Sequence, residues 1–98
     1  MFVGFARYDL RLSGCQSLKD KRSVVRTLQT KLLQKFRCAF AEVENNDMHQ
    51  RATVGVSVIA GTPFHARKLL TEIERHVEDH PGVELIGTLD DVIAAEDA

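Results

Sequence analysis

The chain has 98 residues, 44% of them hydrophobic and 28% charged, with a formal net charge of −1. That is one domain's worth of sequence, enough for a single core without metal or disulfide staples. No apolar run approaches the ~20 residues of a membrane span, and the opening "MFVGFARYDLRL" alternates and carries charge, so it does not read as a secretory signal.

The first strand is expected over Phe2 to Leu12, where Gly4, Ala6, Tyr8, Leu10 and Leu12 fall on one face and Arg7, Asp9 and Arg11 on the other. Ser13-Gly14 is a turn. Ser17 then reads as an N-cap, with Asp20 three residues on to complete a capping box. The helix that follows is expected to reach Phe36, with Leu18, Val25, Leu28, Leu32 and Phe36 as its apolar stripe, widened by Val24 and Leu33. "RCAFAEVE" and "RATVGVSVIA" are the second and third strands, joined by the hairpin loop "NNDMHQ". Thr62 caps a second helix with Pro63 at its first position, where the missing N–H costs nothing. Ala66, Leu69, Leu70, Ile73 and Val77 line its buried side, and "HPG" stops it. A fourth strand is expected from Val83 to Leu89. Residues 1–90 then form the domain, and 91–98 an acidic, flexible tail.

The order β-α-β-β-α-β is that of the ferredoxin-like sandwich, an α+β fold. Two singly amphipathic helices pack on one face of a four-stranded antiparallel sheet, and right-handed crossovers give the strand order 4-1-3-2. The other sheet face would then show Val3, Phe5, Arg7, Asp9, Arg11, Thr53, Gly55, Ser57 and Ile59. The fold by itself hosts many functions.

Enzyme signatures are missing: there is no phosphate-loop, dinucleotide, nucleophile-elbow or Cys-x-x-Cys motif. A non-enzymatic protein without cofactors is the expectation. His76 and His80, spaced i, i+4, with His65 and Glu72 nearby, are the best metal candidates. They flank the apolar stripe, however, where amphipathic side chains cover a core boundary, so no metal is expected. Cys15 and Cys38 read as free thiols of a cytoplasmic protein.

The near-neutral total hides a gradient. From Met1 to Arg37 nine basic residues face two acids, whereas from Glu72 to Ala98 nine acids face one arginine. Lys19, Arg22 and Arg26 lie on one flank of the first helix and Lys21, Lys31 and Lys35 on the other. Helix N-termini carry partial positive charge, so each such cation costs about 0.3–1 kcal/mol at low salt, an amount a good cap offsets. Free N–H groups and a row of cations together make a phosphate site. The competing reading is a solvated helix edge, screened by salt or paired with Glu42, Glu44 or the acidic tail. Base stacking on the sheet, as in RNA-recognition modules, is disfavoured because Phe5 is the only aromatic on that face. Val3, Phe5 and Ile59 suggest instead a contact with another protein or a second copy of the chain.

Two stretches, "LRLSGCQSLKDKRSVVRTL" and "AEVENNDMHQRATVGVSVIA", resemble the YlxP-like family of small bacterial proteins, a domain of unknown function. The most specific parts are "SLKDKR" and the hairpin residues Ala41, Glu42, Val43, Asp47, Gln50, Arg51 and Ala52. His49 stands where family members commonly carry tryptophan. The resemblance implies a ferredoxin-like fold, a bacterial cytosolic protein and a loose association with translation, since family genes often neighbour those of a translation initiation factor and ribosome-binding factor A. The combined expectation is an accessory protein docking on structured, ribosomal RNA or a ribosomal subunit. Lys19, Lys21, Arg22 and Arg26 would contact phosphates, while Arg51 and the loop from Asp47 to Gln50 set orientation. The alternative is a homodimer or protein-interaction module using the open sheet face.

Overall fold

The computed structural model describes residues 1–96. Its elements are β1 (Phe2–Arg11), α1 (Leu18–Lys35), β2 (Ala39–Glu44), β3 (Arg51–Ala60), α2 (Pro63–Glu78) and β4 (Glu84–Ala94). The four strands form one antiparallel sheet in the order β2-β3-β1-β4, which is the ferredoxin-like order expected from the element sequence. The alternation in β1 and β3 sends Ala6, Tyr8, Leu10, Val54, Val56 and Val58 inward. There they meet Leu28 and Leu32 of α1 and Leu70, Ile73 and Val77 of α2.

The helix ends follow from their caps. Ser17 Oγ accepts from the Asp20 amide at 3.1 Å, and the Asp20 carboxylate accepts from the Gln16 amide at 3.0 Å. The capping box therefore closes one residue earlier than its usual form, on the residue before the cap. Thr62 caps α2 in the same way, accepting from the His65 amide at 3.1 Å. Gly82, at φ +81°, supplies the left-handed residue that turns the chain into β4.

Strand β4 is longer than the sequence suggests. Its pairing with β1 continues to Phe2↔Ala94, and Ala95 N–H donates to the Met1 carbonyl at 2.8 Å. Residues 91–94 are thus sheet and not tail; residues 97 and 98 lie outside the described part. The acids that made this stretch look like a tail are compatible with an edge strand, where exposed charge discourages further pairing. Asp90 is held by Arg67 of α2 at 2.9 Å, and Asp91 faces away from the helices, beside Phe5.

Between the helices, His76 lies against Phe36 with ring centroids 5.2 Å apart, and His80 is buried. Burial, with Lys31 close by, lowers the pKa of both histidines below the ordinary 6.5. The neutral form is therefore favoured in the folded chain. The unfolded chain takes up protons first as pH falls through 6.5, so stability is fully present above that value and is lost below it. The urea midpoint is expected to fall between about pH 7.5 and 5.5, above the carboxylate range. His80→Gln should flatten that slope; an unchanged slope would place the titration elsewhere.

Candidate nucleic-acid interface

The α1 end of the molecule is built around one buried cation. Lys21 is only 1% exposed. Its ammonium donates to Glu42 Oε2 at 2.7 Å and to the Asn45 carbonyl at 2.8 Å, with the Asn46 and Arg51 carbonyls each at 3.3 Å. Three N–H bonds meet four oxygens, so a charge that would be costly to bury is fully solvated by the protein. Lys21 is therefore not available to an external phosphate, contrary to the sequence reading. The physical reason is its place on the helix: Lys21, Val25, Leu28 and Leu32 form one stripe facing inward. The same stripe leaves out Leu33, which is exposed.

What Lys21 holds is the β2–β3 hairpin. Register between the strands shifts between Glu42 and Glu44, so Val43 bulges outward. Asn45 adopts φ +63°, a left-handed conformation that asparagine tolerates. Its amide donates to Thr53 Oγ1 at 2.8 Å, and Thr53 in turn donates to Asp9 at 3.0 Å. On the other side Gln50 ties the hairpin to the loop before α1. Its side-chain amide donates to the Cys15 carbonyl at 3.2 Å, and its carbonyl accepts from the Leu12 amide at 3.0 Å. The hairpin and the N-terminus of α1 thus form one braced unit.

On the outside of that unit stand Lys19, Arg22 and Arg26, all exposed. Among the described residues none of the three has a carboxylate within 4.0 Å; the ion pairs are Arg7–Asp9, Arg11–Glu84, Lys21–Glu42 and Arg67–Asp90. Glu42, one of the anticipated neutralising acids, is engaged by Lys21. A shallow groove between α1 and β2 runs past Arg22, Arg26, Gln29 and Glu42, and a second passes Arg26, Thr27, Thr30, Lys31 and Gln34. The α1 surface therefore combines cations with hydroxyl and amide donors. α1 packs beside β2, whereas α2 lies over β4, β1 and β3, and the acids of β4 sit at the edge of the sheet opposite β2.

Arg51 does not join this row. It pairs in register with Arg11 on the open side of the sheet, and only its backbone carbonyl reaches Lys21. Val3, Phe5 and Ile59 do lie together on that open side, in neighbouring strands. Sequence reasoning missed their companions Ala39, Ala41, Val43, Leu89 and Ile93; Ile93 was out of reach because it lies beyond the expected end of β4. It also missed the role of Lys21, although the spacing from Lys21 to Val25 continues the apolar stripe and was a usable signal.

No group of three or more histidine, cysteine or acidic side chains is arranged to hold a metal among the described residues. Cys15 and Cys38 are free, and burial raises the pKa of both thiols, which keeps them protonated and weakly nucleophilic. Tyr8 is buried with no partner for its hydroxyl among the described residues; burial, then Glu74 and Asp90, raises its pKa. No helix among the described residues is long and apolar enough to cross a membrane.

Residues 3–89 match the family described as "Protein of unknown function (DUF503)". The chain belongs to the DUF503 family. A similar relative is the uncharacterized protein YlxP of Bacillus subtilis (strain 168), 26% identical over 82 residues, covering 84% of this chain and 89% of that one. Among solved structures, a de novo designed protein with a ferredoxin fold covers all of this DUF503 chain and 90% of its own, at 12% identity and a TM-score of 0.47. The braced hairpin and the α1 row both lie within the matched DUF503 segment.

Proposed function

We propose that this DUF503 protein is a non-enzymatic, cytoplasmic accessory factor that docks on structured, ribosomal RNA through the exposed face of α1. The observation that carries this reading is the exposed row of Lys19, Arg22 and Arg26, unpaired among the described residues, presented on a rigid helix and segregated from the acidic edge. A helix braced at its N-terminus by Ser17, Asp20 and Lys21 holds these cations in fixed register. Phosphates placed on it would be bound by shape and charge, without base reading. Thr27, Thr30 and Gln29 extend the donor surface toward phosphate and ribose oxygens.

Three phosphate contacts give binding that weakens with a slope of about −2 to −3 in log K against log salt. The test is the triple variant Lys19→Glu, Arg22→Glu, Arg26→Glu, followed by cosedimentation with ribosomal subunits at low salt. Loss of binding with unchanged circular dichroism is expected. Binding that survives the reversal, or wild-type protein that never cosediments, overturns the proposal.

A further inference from the structure

The open face of the sheet is divided lengthwise into two unlike halves. Over the middle of β2 and β3 the outward residues are small: Ala39, Ala41, Gly55 and Ser57 floor an open trough of about 490 Å³, with the larger Val43 and Ile59 outward toward its two ends. Over β1 and β4 they are large: Phe5 and Leu89 rise along the wall of that trough, and Ile93 stands beside Val3. Leu89 is 59% exposed and Ile93 49%, an unusual amount of apolar surface for a sheet face left in water. Of the charged residues on this face, Arg7, Asp9, Arg11 and Arg51 stand on the central strands, and two others stand at the edges. Arg37 lies at the β2 edge, bordering Ala39 and Ile59, and Asp91 lies at the β4 edge beside Phe5. Neither has an ion-pair partner among the described residues.

We infer that this face binds a second copy of the chain, related by a two-fold axis lying between the sheets and parallel to the strands. That axis exchanges left for right. It places the β4–β1 half of each copy over the β3–β2 half of the other. Phe5 and Leu89 of one protomer then enter the trough floored by Ala41 and Gly55 of its partner, and the same fit recurs on the other side of the axis. Arg37 at one edge stands two residues, about 7 Å, along the strand from Asp91 at the opposite edge of the partner, a gap the long arginine side chain spans, and this contact also occurs twice. A two-fold axis perpendicular to the strands would instead stack large residues on large and leave trough over trough. In its central rows and in the Arg37–Asp91 pair the face is self-complementary for one symmetry and not for the other, which is the requirement of an isologous contact; toward the hairpin the same axis sets Arg11, held by Glu84 at 3.4 Å, over the partner's Arg51.

The size is adequate. Four strands about 4.8 Å apart and about 33 Å long present roughly 600 Å² on each copy, or about 1,200 Å² per pair, the lower end of stable interfaces. Paired sheets of this kind pack about 10 Å apart with their strands within about 30° of each other. Both α1 helices stay on the outside, so the contact is independent of the cationic row.

Sedimentation equilibrium on the full chain at micromolar and higher concentration is expected to give twice the 11.0 kDa protomer mass. Ala41→Arg, on an exposed position, should fill the trough and give a monomer with unchanged circular dichroism. Asp91→Arg should weaken the dimer at least tenfold by setting two arginines against each other, and the double variant Arg37→Asp, Asp91→Arg should restore it. A monomeric wild type, a dimer indifferent to Ala41→Arg, or a double variant no tighter than Asp91→Arg would each overturn the inference.

Discussion

Lys21→Met is expected to lower the free energy of unfolding by about 3 kcal/mol, the low end of the cost of breaking a buried ion pair. Methionine reproduces the side chain as far as Cε, so the loss is chiefly that of the ammonium and its bonds and not of the buried stem. It leaves the Glu42 carboxylate and the Asn45, Asn46 and Arg51 carbonyls facing an apolar group. The low end applies because the Glu42 side chain keeps 22% of its surface in water and can recover part of its hydration. Lys21→Arg should also destabilise, since a planar fork cannot point its donors at oxygens that surround a single nitrogen. The double variant Lys21→Met, Glu42→Leu should regain part of the loss, because two apolar groups replace a pair and no charge is left stranded. Urea denaturation near neutral pH reads all three. A Lys21→Met protein within about 0.5 kcal/mol of wild type would show that the ammonium does not hold the hairpin. Because the hairpin braces the start of α1, hydrogen exchange in residues 45–51 and in the first turn of α1 should rise together.

Gly4→Val is the second large effect, again about 3 kcal/mol. Gly4 is buried as the third residue of β1, facing α2. A Cβ there would sit 3.0 Å from Val58 Cγ2 and 3.1 Å from Leu70 Cδ1, closer than packed carbons approach. Alanine already forces Leu70 to move, and valine adds two methyl groups to a site with no room, at the upper end of overpacking costs. Gly55→Ala is the control. Its added Cβ meets only the tip of Val43, at 3.3 Å, on the open side of the sheet, where Val43 is 51% exposed and can yield. The control should stay within about 0.5 kcal/mol of wild type. Equal losses at the two positions would mean that the helix layer does not press on Gly4. The contrast matters because each is an isolated glycine inside a strand, and a residue pattern alone assigns them similar costs.

Much of the architecture was legible from periodicity. Alternation in β1 and β3 assigned their inward faces correctly, and the stripe from Ala66 to Val77 assigned that of α2. The caps at Ser17 and Thr62 marked both helix starts. These features are local: they depend on spacing, backbone hydrogen bonding and the burial of apolar surface, all of which act within a few residues. The cationic edge was legible too, for helical angle alone separates Lys19, Arg22 and Arg26 from the apolar stripe.

The failures share a cause. Lys21 was grouped with the other cations because a lysine is ordinarily a surface residue; what buries it is a set of oxygens contributed from residues 42 to 51, well separated along the chain. Arg51 was grouped with the α1 row although the sheet lies between them. The end of β4 was placed at Leu89 because the two acids that follow look like tail, yet β1 extends far enough to pair with them and Arg67 supplies the counter-charge for Asp90.

The sequence by itself determined the order of elements, the sheet topology and the inward faces of β1, β3 and α2, because near-neighbour periodicity and right-handed crossovers leave few other ways to bury the apolar residues. Only the tertiary structure decided which positive charges are spent inside the protein and which face outward. A charge's role depends on the oxygens that surround it in space, and in this chain those oxygens come from a hairpin 21 to 30 residues away from Lys21.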